Sequence, residues 1–152
     1  MVSVLSILHR GLKLPRISGR AIIFKDDQVI LLFRRRKTND GYKEYYAIPG
    51  GGQDDGETIE ECVIRELKEE YNVDIKIIEY LGKVGDEKNL GYLYYCEIIN
   101  GVPTLSGEEK ERNNKDNYYE IQYIKVSELD NYNILAQNKE LINKAYKLKE
   151  GK

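Results

Sequence analysis

Histidine is nearly absent: His9 is the only one in the 152 residues. Nucleophile schemes of the Ser-His-Asp or Cys-His kind therefore lack a base near any plausible core. Cysteine is almost as scarce. Cys62 and Cys96 are too few for a disulfide framework and have no zinc-ligand spacing, which points to a reducing, cytoplasmic setting. Tryptophan is missing and proline occurs 3 times, yet 41% of residues are hydrophobic, so the chain can bury a core and is not disordered. No apolar run approaches the length that crosses a bilayer. The mildly apolar Met1 to Leu8 is followed by His9, Arg10 and Lys13 without a small-residue cleavage site, so neither a signal peptide nor membrane association is expected. The net charge is −2, from 24 basic and 26 acidic residues. No global basic field exists to hold nucleic acid. The glycines at 50–52 are not followed by the Gly-Lys-Ser/Thr ending of a phosphate-binding P-loop.

What the chain has in quantity is glutamate, and it is concentrated. Six glutamates lie between Glu57 and Glu70, against Arg65 and Lys68 as the only cations. They sit on a segment with strong helix signals. Thr58 and Glu61 form a capping box, in which hydroxyl and carboxylate satisfy end amides reciprocally. Ile59, Val63 and Leu67, four apart, make the buried stripe. Asn72 can adopt the left-handed conformation that ends a helix.

The surrounding pattern is one of strands. Residues 1–18 read as an irregular leader. Ala21 to Phe24 and Val29 to Phe33 are apolar runs joined by a Lys-Asp-Asp turn, expected to pair as a hairpin. Arg34, Arg35, Arg36 and Lys37 follow. A basic run of this kind is ordinarily a solvated strand end; the alternative is that Arg34 or Arg36 reaches a substrate phosphate. Tyr45 to Ile48 form a strand that delivers Pro49 and the glycines. Residues 75–84 and 92–99 make an antiparallel pair, residues 101–115 a polar, charged and mobile loop, residues 118–126 a strand, and residues 136–148 a terminal helix. Of the 13 tyrosines, the neighbours Tyr45/Tyr46, Tyr94/Tyr95 and Tyr118/Tyr119 sit on strands, so at most one of each pair can line a pocket.

Glu66, Glu69 and Glu70 share one helix face, bordering the apolar stripe. Carboxylates crowded there repel, and a hard cation such as Mg²⁺ or Mn²⁺ relieves the conflict because it prefers oxygen ligands. A solvated acidic face, partly neutralised by Lys68 and Arg65, accounts for the charge equally well. The spacing separates the two readings. Gly51, Glu57, Arg65, Glu66, Leu67, Glu69, Glu70 and Val73 fit the pattern G-x5-E-x7-R-E-U-x-E-E-x-G-U, with Asn72 in place of its last glycine. On these residues the chain resembles the Nudix hydrolase family.

The resemblance implies one domain over 1–152, an α/β/α sandwich with a central mixed sheet. It implies metal-dependent hydrolysis of a phosphoanhydride in a nucleoside diphosphate linked to another moiety, by water attack on phosphorus. The cofactor would be Mg²⁺ or Mn²⁺, held by Glu66, Glu69 and Glu70 with the Gly50 carbonyl as a further ligand. Arg65 would pair with Glu57 to brace the helix, and Glu66 or Glu69 would serve as base. A glutamate of the loop 107–112, or Glu120, is the alternative base. Glu109 and Arg112 in that loop join Arg34 and Arg36 as substrate-binding candidates. The partner is a small nucleotide derivative, and homodimerisation is left open. The second reading is a Nudix-fold module that binds a nucleotide or regulates a partner without catalysis.

Overall fold

The computed structural model describes residues 14–151; the first thirteen residues, His9 among them, lie outside it. Eight strands form two groups of four. In the first, β1 (Arg16–Ile22) lies between β5 (Gly50–Gly52) and β7 (Asn89–Asn100), and β6 (Asp74–Gly85) completes the order β5-β1-β7-β6. Only β1 and β7 run parallel; β5 and β6 are antiparallel to their neighbours, so the sheet is mixed. In the second group β3 (Gln28–Thr38) is central, with β2 (Phe24–Lys25), β4 (Gly41–Ala47) and β8 (Asn117–Lys125) all antiparallel to it.

Side-chain alternation along these strands builds two cores. Ala21, Ile23, Ile30, Leu32 and Tyr94 pack with Val63, Leu67 and Tyr71 of α1 (Ile59–Tyr71). Ile22, Val29, Leu31 and Tyr95 pack on the other side with Ile142 and Ala145 of α3 (Ala136–Lys149). Helix, sheet layer, helix is the α/β/α arrangement expected, and it follows from the two-residue period of buried strands. Among the described residues no helix is long and apolar enough to cross a membrane.

Helix α1 starts and stops where its sequence says. The Thr58 hydroxyl accepts from the Glu61 amide at 3.1 Å, and the Glu61 carboxylate accepts from the Thr58 amide at 2.9 Å. Asn72 closes the helix at φ 55 and ψ 40, its amide directed to the carbonyls of Leu67 and Lys68.

Three expectations are corrected. Arg16, Ile17 and Ser18 are not part of an irregular leader; they pair with Asn89, Leu90 and Gly91 on β7. Ala21 and Ile22 do not pair with the strand that follows them. They lie beside Tyr94 and Tyr95, and only Phe24 and Lys25 turn back onto β3. The chain changes sheet at Ile23, and since both sheets bury both faces there, the apolar run carries no sign of the switch. The polar stretch 101–115 is docked rather than loose. It contains the short helix α2 (Gly107–Glu111), preceded by amides of Thr104 and Ser106 that donate to the Tyr71 and Glu70 carbonyls at 2.9 and 2.8 Å.

The left-handed residue gives a stability prediction. Asn72→Gly is expected to leave the unfolding free energy from urea melts within about 1 kcal/mol of the parent, whereas Asn72→Val costs about 1–2 kcal/mol because a β-branched side chain disfavours that conformation. Equal midpoints for the two variants would remove the strain account.

Candidate functional site

The loop before α1 is shaped by close approach. Gly50 has φ 152 and lies buried opposite Arg20, where a Cβ would collide with the Gly19 carbonyl. A Cβ on Gly51 would run into the Glu66 carboxyl group, so the glycine is what lets that side chain lie against the loop. Below it, the Cys62 thiol points at the Gly51 carbonyl at 3.4 Å, and burial pushes its pKa up to about 11. Cys62 is thus a packed hydrogen-bond donor and not a nucleophile.

Arg65 ties loop and helix together. Its Nε and Nη2 donate to Glu57 at 3.0 and 2.7 Å in a two-point clamp, and Nη2 also reaches the Gly52 carbonyl at 3.0 Å. Its Nη1 donates to Glu66 and to Glu69, each at 3.1 Å. The Glu57 carboxyl is held down to about 2, first by the Arg65 hydrogen bonds and then by the Asp54 amide. Lys68 takes no part; it turns to Asp74 at 3.4 Å.

The six glutamates therefore divide. Glu61 caps the helix and Glu60 accepts from the Tyr94 hydroxyl at 2.9 Å. Glu57 is consumed by Arg65. Glu66, Glu69 and Glu70 remain, lining a cavity of about 390 Å³ with Asp54, Arg65, Gly107 and Glu108. Their side chains differ in enclosure: Glu66 is 13% and Glu69 55% exposed, and residue Glu70 is 7% exposed. Burial raises the Glu66 pKa despite Arg65 beside it. Glu70 Oε2 accepts from the Glu109 amide at 2.8 Å, and Gly107 sits against the same carboxyl, so α2 is the far wall of the cavity.

A hard divalent cation suits this donor set. The carboxylate oxygens are mostly shielded, carry more negative charge than Arg65 alone can balance, and one of them occupies the space that Gly51 leaves free. As the side chains lie, no three acidic groups among the described residues converge at ligand spacing. Arg65 draws Glu66 and Glu69 toward itself while the Glu109 amide holds Glu70, so binding requires rotation of side chains already on the cavity wall.

The remaining candidates are spread over three places. Arg34 lies on β3 with its guanidinium 3.9 Å from the Tyr119 ring centre, its Nη2 donating to Asn117 at 2.9 Å and its Nε buried without a partner. Glu109 is its neighbour; burial pushes that carboxyl up to about 7 although the Arg34 charge opposes the rise. Arg36 is exposed further out on the same strand. Arg112 pairs with Glu108 at 3.1 Å, both side chains exposed. Glu120 accepts from Tyr118 at 2.6 Å, and β8 alternation puts it on the face opposite Tyr119 and the carboxylate wall. Arg20 escaped the sequence reading. Its Nη1 donates to the Ile48 carbonyl at 2.8 Å, and the charges of Glu109 and Glu66 act on it, but a lone arginine in a strand start carries no pattern that would have singled it out.

The sequence profile of the NUDIX domain matches residues 14–145. An ADP-ribose pyrophosphatase of Methanocaldococcus jannaschii is 31% identical over 103 residues, covering 64% of this chain and 59% of that protein. An NAD-capped RNA hydrolase of Vibrio atlanticus is 38% identical over 74 residues, covering 48% of this chain and 26% of its own length. The crystal structure of a MutT NUDIX hydrolase from Burkholderia pseudomallei superimposes with a TM-score of 0.66 at 20% identity, covering 86% of this chain and 98% of that one. That likeness is one of fold.

The clamp on Glu57 has a pH signature. A carboxyl held below its ordinary value near 4.5 contributes stability above that value, and the contribution is lost as pH falls toward about 2. Glu57→Gln should lower Tm by about 3–6 °C at neutral pH and by progressively less on acidification. A deficit that stays constant down to the acid limit would mean that the clamp is not ionic.

Proposed function

Because this chain belongs to the NUDIX family, we propose that it hydrolyses a phosphoanhydride bond in a nucleoside diphosphate linked to a second moiety, with Mg²⁺ or Mn²⁺ as cofactor. The observation that carries the reading is the cavity wall of Glu66, Glu69 and Glu70, braced from behind by Arg65 on Glu57. Those three glutamates, with the Gly50 carbonyl as a further ligand, would hold the metal. When bound, it supplies neutralisation of the diphosphate and a lowered pKa for the attacking water.

The chain's own residues do the rest. The water oxygen forms a bond to phosphorus, the bridging P–O bond breaks, and its electron pair leaves on the departing phosphate. The water proton passes to a wall carboxylate. Glu69 is the best placed for this, since it alone of the three keeps an open side to solvent, while Glu66 and Glu70 are enclosed. Arg65 and Glu57 are positioning residues: their clamp sets the direction of the helix face. The docked α2 stands across the cavity from that face.

The test is a panel of nucleoside diphosphate derivatives, ADP-ribose first in view of the relative that bears its name, assayed with Mg²⁺ and with Mn²⁺ and analysed for the bond broken. Turnover should vanish in EDTA. Glu69→Gln and Glu70→Gln should each lower kcat by about 10²–10⁴-fold, the equivalent of several kcal/mol of lost charge stabilisation. Absence of metal-dependent turnover across the whole panel would replace the hydrolase with a nucleotide-binding module.

A further inference from the structure

Beside the carboxylate cavity the sheet β4-β3-β8 carries a second, opposite concentration of charge. Its register is continuous. Across the three strands Ala47, Leu32 and Ile121 form one row, Tyr45, Arg34 and Tyr119 the next, and Lys43, Arg36 and Asn117 the third. These residues share the face that packs on α1, since Leu32 and Tyr119 lie in the core with Val63 and Leu67. Ring contacts confirm the sharing: Arg34 lies 3.9 Å from the Tyr119 ring centre and 6.0 Å from that of Tyr45, and the Lys43 ammonium 5.4 Å from Tyr45.

The two faces of this sheet are treated differently. On the outer face Arg35 finds Glu44 at 3.3 Å, and Glu120 takes the Tyr118 hydroxyl. On the inner face the three rows hold three cations and no carboxylate. Arg34 has Glu109 as a neighbour across from it. Arg36 and Lys43 have none: among the described residues neither reaches a carboxylate. They are also direct cross-strand partners, an arrangement in which like charges lower the stability of a sheet. An uncompensated repulsion of this kind, one row beyond an aromatic ring and about 7 Å along the strand from Arg34, suits an anion held between the two cations.

We propose that Arg36 and Lys43, with the Tyr45 ring beneath them and the free Nε of Arg34 behind, bind a second phosphate group of the substrate, one lying outside the diphosphate that is cleaved. This rests on the hydrolase reading and narrows it. The chain should prefer substrates that carry an additional phosphate over otherwise identical ones that end in a neutral sugar. Tyr45 supplies a flat surface for a base or sugar between the two anion sites.

Two matched pairs test it: ADP-ribose against ADP-ribose 2′-phosphate, and diadenosine diphosphate against diadenosine tetraphosphate. In at least one pair the phosphorylated member should show a kcat/KM at least about tenfold higher, and the double variant Arg36→Gln, Lys43→Gln should reduce that ratio to below about threefold. The same variant should melt at the parental temperature or slightly above it, because a repulsive pair has been removed. A preference that survives the double variant, no preference in either pair, or a lower Tm for the variant each overturns the proposal. So does turnover of 5′-phosphorylated RNA in place of the small molecules, which would give the two cations to a nucleic-acid backbone.

A binding arm separates this from failure of the hydrolase reading. In EDTA, thermal shifts are compared for adenosine 2′,5′-bisphosphate, inorganic tripolyphosphate and AMP. Turnover of both members of each pair at equal rates leaves the hydrolase standing and removes the second phosphate site. If nothing turns over, a larger shift with the multiply phosphorylated compounds, abolished in the double variant, still supports that site, and equal shifts overturn it.

Discussion

The guanidinium of Arg65 is the interaction on which the site depends. It sits where a loop with almost no side chains meets a helix with too many of one charge. Five of its hydrogen bonds go to Glu57, Glu66, Glu69 and the Gly52 carbonyl. A planar fork can grip Glu57 at two points and still present its other edge to the wall carboxylates, which a lysine cannot do. Without it, the loop would have no reason to lie along the helix, and Glu66 and Glu69 would repel each other into solvent.

The same economy of contacts explains how the cavity is enclosed. The C-terminal turn of α1 offers free carbonyls, as every helix end does. Here those of Glu70 and Tyr71 are met by the amides of Ser106 and Thr104, so the polar segment after β7 is fastened to the very turn that carries Glu69 and Glu70. Gly107 makes the approach feasible, with φ 62 and with Glu70 where its Cβ would project. Structure and chemistry are thereby linked: the helix end that needs capping is also the one that bears the carboxylates, and capping it brings a second wall.

Legibility in the sequence varied with the range of the interaction responsible. Everything local to 51–73 could be read: the capping box, the left-handed Asn72, the shared face of Glu66, Glu69 and Glu70, and the Arg65–Glu57 pairing implied by the family spacing. Each depends on contacts within about two turns of chain. The tyrosine pairs were read correctly in that neighbours take opposite faces, because alternation on a strand is local as well; Tyr94 and Tyr95 are buried in different cores, and Tyr119 faces α1 while Tyr118 faces the outer surface. Strand pairing was legible for residues 75–84 and 92–99, which pair antiparallel as read, but not at the first strand. Ala21 and Val29 are close in sequence and equally apolar, yet they belong to different sheets and different cores. Arg34 and Arg36 were singled out from the sequence, and alternation on β3 puts both on the face toward α1 and Arg35 on the other; Lys43, the cross-strand partner of Arg36, was not.

By itself the sequence determined the family to which this chain belongs, because the groups concerned are carried by one helix whose geometry is set by hydrogen bonds four residues long. It determined also which glutamates are spent on structure near that helix. What only the tertiary structure decided is what stands opposite. Register between β3, β4 and β8 set Arg36 against Lys43, turned Glu120 away, and put Glu109 beside Arg34. Those pairings join residues up to about ninety positions apart, and a shift of one residue in any strand would reverse every one of them. The carboxylate face of the cavity is thus a property of local chain chemistry, and the basic face of β4-β3-β8 is a property of the sheet.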